Sequence, residues 1–117
     1  MMQSYTGGCQ CGAVRYETQA DLDAIMACNC SRCGRAGFIL TFSPADQFKL
    51  LKGQDAQTAF LFNSHKIHHQ FCKTCGIESF ARGVGKDGTE VVALNVRCFD
   101  GIDVHALTPK QVDGKSF

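Results

Sequence analysis

Gly7-Gly8-Cys9-Gln10-Cys11-Gly12-Ala13-Val14-Arg15-Tyr16-Glu17 sets two cysteines one residue apart among glycines, and Phe71-Cys72-Lys73-Thr74-Cys75-Gly76 answers it with a C-x-x-C. A C-x-x-C knuckle turns both sulfurs toward one point. A C-x-C on an extended segment places both on one face, so each pair can supply half of a tetrahedral metal site. Gly8, Gly12 and Gly76 give the flanking backbone the freedom to wrap an ion. A metal joining the two pairs closes a long loop, the kind of staple that a small β domain with a modest core requires. Cys9, Cys11, Cys72 and Cys75 are therefore expected to hold a structural zinc ion. Buried free thiols, the bland alternative, have no reason to gather at chelating intervals.

A second group, Ala27-Cys28-Asn29-Cys30-Ser31-Arg32-Cys33, offers three sulfurs from one short segment. Three protein ligands leave a fourth position for water or substrate, which is what separates a catalytic zinc from a structural one. Cys98, alone in Asn95-Val96-Arg97-Cys98-Phe99-Asp100, admits two arrangements. With one ligand missing and one thiol spare, Cys98 is expected within bonding distance of the ion held by Cys28, Cys30 and Cys33, which closes the site. In the other arrangement it is an ordinary strand thiol and the site stays open. Two zinc ions per chain are expected.

The chain has 117 residues and is expected to form one domain over residues 1–117. A secreted disulfide framework is the rival use of eight cysteines. It is disfavoured because neighbours in C-x-C do not easily bridge each other and the opening residues do not read as a signal peptide. No apolar run approaches the roughly 20 residues that span a bilayer. No membrane association is expected, and a cytoplasmic location, where thiols stay reduced, is the default. A formal charge of +1 argues against a nucleic-acid partner recognised by bulk electrostatics.

Short β patterns separated by turns run along the chain. Strands are expected at residues 14–17, 25–27, 38–42, 48–51, 59–62, 77–82 and 91–96, and residues 65–71 lead into the second knuckle. A turn is expected at Gly85-Lys86-Asp87-Gly88, and short helical turns at residues 31–35 and 43–47. Residues 108–117 read as a polar tail lying over the surface. The fold class is mostly β, with few short helices. Phe38, Phe42, Phe60, Phe62, Phe71 and Phe80 are read as core. His65, His68 and His69 could act as acid or base near neutral pH, although solvated, uninvolved histidines are the commoner case.

Taken together, G-G-C-x-C-G-A-V-x-Y, C-N-C-S-x-C-x-R and F-C-x-x-C-G resemble the family of the glutathione-dependent formaldehyde-activating enzyme and centromere protein V. The resemblance runs through residues 7–98 and into the tail at Val112-Asp113-Gly114. It implies a β-tent of small antiparallel sheets with two zinc sites, Cys9, Cys11, Cys72 and Cys75 holding the structural ion and Cys28, Cys30 and Cys33 the second. The implied activity is a carbon–sulfur lyase reaction read in reverse, in which formaldehyde and glutathione give S-(hydroxymethyl)glutathione. Gly76-Ile77-x-Ser79-Phe80 and Arg97-Cys98-Phe99-Asp100 look closer to the centromere protein V branch. The alternative function is a non-catalytic, zinc-stabilised module that binds a protein partner or a small thiol. Arg32 and Arg35 flank Cys33 and could pair with the carboxylates of a glutathione-like ligand; a plain surface role fits them equally.

Overall fold

The computed structural model describes residues 1–61, 67–85 and 87–114. Two sheets meet over an aromatic core. One has three strands in the order β1-β2-β5, with β1 at Gln3–Gly8, β2 at Arg15–Ala20 and β5 at Phe48–Lys52. The other contains β3 (Met26–Cys28), β4 (Leu40–Pro44), β6 (Gln57–Phe60), β7 (His68–Cys72), β8 (Phe80–Val84), β9 (Glu90–Asn95) and β10 (Lys110–Val112). Its order is β10-β3-β4-β9-β8-β7-β6. The mostly-β expectation holds, and among the described residues no helix is long and apolar enough to cross a membrane.

Tyr16, fully buried from β2, lies 5.2 Å from the ring of Phe48 and 6.0 Å edge-on from Phe80. Phe48 and Phe80 rings are 4.7 Å apart, and Val14, Val92, Leu94 and Val96 complete the centre. Burial of such rings and branched side chains is the main stabilising term of the domain. The phenylalanine expectation needs correction. Phe38 and Phe80 are buried, but Phe42 and Phe60 are exposed, Phe71 is half-buried and Phe62 lies outside the described residues. Alternation along β4 explains Phe42: it turns Thr41 and Ser43 inward instead. Their hydroxyls stay satisfied, Thr41 Oγ1 donating to the carbonyls of Asp21 and Ala24, and Ser43 Oγ donating to that of Gln19 at 2.7 Å.

Two local expectations also change, and a third holds. Residues 108–117 are not simply a surface tail, because β10 adds to β3 in parallel with Val112 opposite Cys28. The second sheet is therefore not wholly antiparallel. Residues 43–47 divide, Ser43 and Pro44 ending β4 and a 3₁₀ turn occupying Ala45–Gln47. The short helical turn expected at residues 31–35 is present as a helix, α1, at Ser31–Ala36.

Candidate metal centres and the grooves beside them

Cys9 and Cys11 lie in a turn rather than on a strand. The Cys9 amide donates to Val14 O, that of Gly12 donates to Cys9 O, and Gly12 takes φ +83° to let the chain double back. A Cβ at Gly8 would collide with Val14 O, which is why this position takes glycine. Opposite, β7 ends at Cys72, and the Gly76 amide donates to Cys72 O at 2.9 Å, closing the knuckle around Cys75. The four sulfurs lie within 4.8 Å of one another, with Cys9–Cys11 and Cys11–Cys72 each 3.6 Å apart. A tetrahedral ion bound by sulfur at about 2.3 Å needs neighbouring sulfurs about 3.8 Å apart. The set fits.

Backbone donors prepare these sulfurs for negative charge. The amides of Val14 and Thr74 donate to the sulfurs of Cys9 (3.3 Å) and Cys72 (3.4 Å). Against the cost of burial, the amides of Ile77 and Cys11 hold the Cys75 thiol down to about 6. Cys11 moves the other way, to about 11: the Ala13 amide favours its thiolate, but burial and the sulfurs of Cys72, Cys9 and Cys75 outweigh it. Repulsion among thiolates brought this close is relieved by a cation held between them.

The second group is local. β3 delivers Cys28, Cys30 is the N-cap of α1, and Cys33 is the buried residue of that helix. The Cys30 amide donates to Cys28 Sγ at 3.4 Å, and that of Cys33 to Cys30 Sγ at 3.3 Å. Burial opposes ionisation of Cys30, but the Cys33 amide and its neighbours bring its pKa below the ordinary thiol value. Burial, with the Cys30 sulfur beside it, pushes Cys33 up. The three sulfurs converge within 4.8 Å and could hold a second ion.

Cys98 does not gather with them. It ends a 3₁₀ turn, Val96–Cys98, and its Sγ lies 4.0 Å from Glu78 O. Burial pushes this thiol up to about 11, and charge on Cys9, Cys75 and Glu78 adds to the rise. The expected fourth ligand is thus displaced. The turn is anchored by Val96 N to Ile39 O (2.7 Å) and by the bridge of Phe99 to Gly7, which hold Cys98 on the inner side.

The expected ligand contacts also separate. Arg32 donates to Glu78 Oε1 from Nε (3.1 Å) and from a terminal nitrogen (2.6 Å), and Glu78 Oε2 meets His69 Nδ1 at 2.8 Å. This buried bracket ties α1 to the chain behind the first knuckle. Arg35 is exposed and donates to Ser31 O within the helix. Both arginines line a cavity of about 680 Å³ with Ser31, Phe60, Glu78 and Asn95. None of the second-group cysteines lines it. Cys28 and Cys33 open instead into a groove of about 380 Å³ on the other side of α1, walled by Gly37, Arg97, Leu107 and Gln111. Although smaller, this groove is the one that touches the sulfurs, and chemistry there takes precedence over size. His68 is exposed, His65 lies outside the described residues, and neither His68 nor His69 joins a cysteine group.

The sequence reading missed Arg97 and the part played by Gly114. A Cβ on Gly114 would run into Cys28 Sγ, so the chain after β10 closes directly over the second group. Asn29 Nδ2 donates to Asp113 Oδ1 at 2.9 Å, and the Asn29 amide to Val112 O, fixing that approach. The only sequence signal for it was the motif Val112-Asp113-Gly114.

Residues 4–113 match the family model described as glutathione-dependent formaldehyde-activating enzyme. The fold also superposes on the crystal structure of a Rhodobacter sphaeroides protein with a TM-score of 0.81 and 27% identity, covering 91% of this chain and 97% of that one.

Proposed function

Because the chain belongs to the glutathione-dependent formaldehyde-activating enzyme family, we propose that it is a zinc-dependent carbon–sulfur lyase-type enzyme acting on the adduct of a glutathione-like thiol with formaldehyde. The observation that carries this reading is the three-sulfur group at Cys28, Cys30 and Cys33 opening into a groove, with Cys98 directed elsewhere. Such a group suits an ion with one position left for a ligand, whereas the four-sulfur group suits a structural ion. Zinc bound there would lower the pKa of a coordinating thiol and hold it as thiolate at neutral pH.

The protein's own contribution is to position and to shield. The amides of Cys30 and Cys33 neutralise part of the sulfur charge, Gly114 covers one side, and the groove admits the ligand at Cys28 and Cys33. In the synthetic direction the thiol sulfur bonds to the aldehyde carbon and the carbonyl π pair moves to oxygen. The proton released by the thiol returns through water to that oxygen. No protein nucleophile and no oxidant is needed.

The test is the rate of S-(hydroxymethyl)glutathione formation by zinc-loaded protein, with the uncatalysed addition subtracted. A rate above background that disappears in Cys30→Ala supports the enzyme. Background rate at every glutathione concentration contradicts it and leaves a non-catalytic thiol-binding module.

A further inference from the structure

If a thiol binds at the second cysteine group, something must hold the rest of that ligand. Three arginines lie near, and α1 sorts them by face. Ser31, Arg32, Arg35 and Ala36 share one side of the helix and line the larger cavity. The charge of Arg32 is already answered there by buried Glu78. Cys33, Gly34 and Gly37 line the groove on the opposite side, where the only charged residue among the described lining is Arg97.

Arg97 is pre-positioned. Its amide donates to Asn95 Oδ1 at 3.2 Å, and its Nε donates to the carbonyl of Gly37, the helix C-cap, at 2.9 Å. Those bonds leave the terminal guanidinium nitrogens without a partner among the described residues. The rest of the wall is largely apolar, from Phe38, Ile39, Val104 and Leu107, with the amide of Gln111 at one end. A volume of about 380 Å³ falls within the usual range of small-ligand sites. Sulfur ligands at one end, an apolar wall, and one fixed cation with open donors describe a receptor for a thiol that carries a carboxylate.

We propose that Arg97 is the specificity-determining residue of the groove at Cys28 and Cys33, binding the carboxylate of an acidic thiol, and that Arg32 and Arg35 do not take this part. The proposal rests on the reading that a thiol binds at the second cysteine group.

Calorimetric titration of zinc-loaded protein with glutathione, S-methylglutathione and 2-mercaptoethanol separates the two ideas, with retained metal content and thermal midpoint as the folding control. S-methylglutathione keeps the carboxylates but has no thiol, and 2-mercaptoethanol has the thiol but no carboxylate. Arg97→Gln should weaken glutathione and S-methylglutathione by about tenfold or more, the scale of a charge-assisted hydrogen bond. It should leave 2-mercaptoethanol within about twofold, and Arg97→Lys should recover part of the loss. Arg35→Gln should change none of the three. The proposal is overturned if Arg97→Gln leaves the preference for glutathione over 2-mercaptoethanol intact, or if Arg35→Gln removes it. Binding of 2-mercaptoethanol with no preference for glutathione overturns the proposal and keeps the enzyme reading. Arg97-dependent binding of S-methylglutathione, with glutathione no tighter and 2-mercaptoethanol unbound, overturns the enzyme reading and keeps only the carboxylate contact of Arg97. Failure of all three ligands to bind overturns both.

Discussion

Both cysteine groups use the same side chain and the same amide-to-sulfur bonds, yet the chain brings their members from very different distances. In the first, Cys11 and Cys72 stand 61 positions apart and touch at 3.6 Å, so the group joins the start of the chain to the β7 knuckle. In the second, Cys28, Cys30 and Cys33 come from the end of one strand and the start of one helix. A long-range group reports on folding, because its ligands are together only when the sheets are. A local group can assemble cheaply and has less fold to lose. The first has four sulfurs and no need of anything more; the second has three and a groove beside them. On the function proposed above, the difference separates a staple from a site.

The largest expected effect follows from breaking the staple. Cys72→Ala should abolish the cooperative thermal transition, since metal affinity and folding are one equilibrium at a closed thiolate site. Cys28→Ala should retain a cooperative transition while metal analysis falls from two ions to one. Similar losses of folding in both variants would erase the contrast.

An intermediate effect is expected at the bracket between the two groups. Arg32→Gln leaves Glu78 buried without its cation, and partial exposure of Arg32 moderates the loss to about 1–3 kcal/mol. Changing Glu78 to Gln at the same time should restore much of that stability in urea unfolding. No recovery in the double variant would mean that Arg32 acts through its packing on Phe60, over which its guanidinium lies at 4.9 Å.

Gly114→Ala sharpens the contrast from the other side. The added methyl must displace Cys28 Sγ, so competition with a chromogenic chelator should show weaker binding of one ion, by about tenfold or more, with the other unchanged. Equal retention of both ions would remove Gly114 from the account of the second site.

The effect that vanishes at neutral pH is that of Cys98. Burial raises its folded pKa to about 11 from an ordinary value of 9.0, so its contribution to stability is complete below pH 9 and fades as pH rises through 11. Cys98→Ser should flatten that alkaline decline in thermal midpoints taken between pH 8 and 11. A decline of the same steepness in the variant would assign it to other groups.

The sequence made the cysteine sets legible because chelation imposes short, fixed spacings. Most strands were legible too, because β2, β5, β8 and β9 carry apolar residues in the core. β1 was not anticipated: Gln3-Ser4-Tyr5-Thr6 is largely exposed and shows no alternation, and only its pairing with β2 makes it a strand. β10 is three residues long and defined by a partner in β3 more than eighty positions away. The same distance hid the closure of Gly114 on Cys28. Cys98 was misplaced by counting thiols, since a count of ligands carries no information about the turn that aims one of them inward. Arg97 escaped notice because its chemistry comes from Gly37 and Cys33 across the groove, not from its neighbours in sequence.

X-ray absorption at the zinc edge of the two-zinc protein, before and after addition of glutathione, tests the difference between a closed and an open group most directly. With four sulfurs at one ion and three at the other, the mean sulfur number should lie between three and four and should include a lighter ligand. Glutathione should raise the mean toward four as the lighter ligand leaves. A mean of four sulfurs from the outset, unchanged by glutathione, would contradict the account.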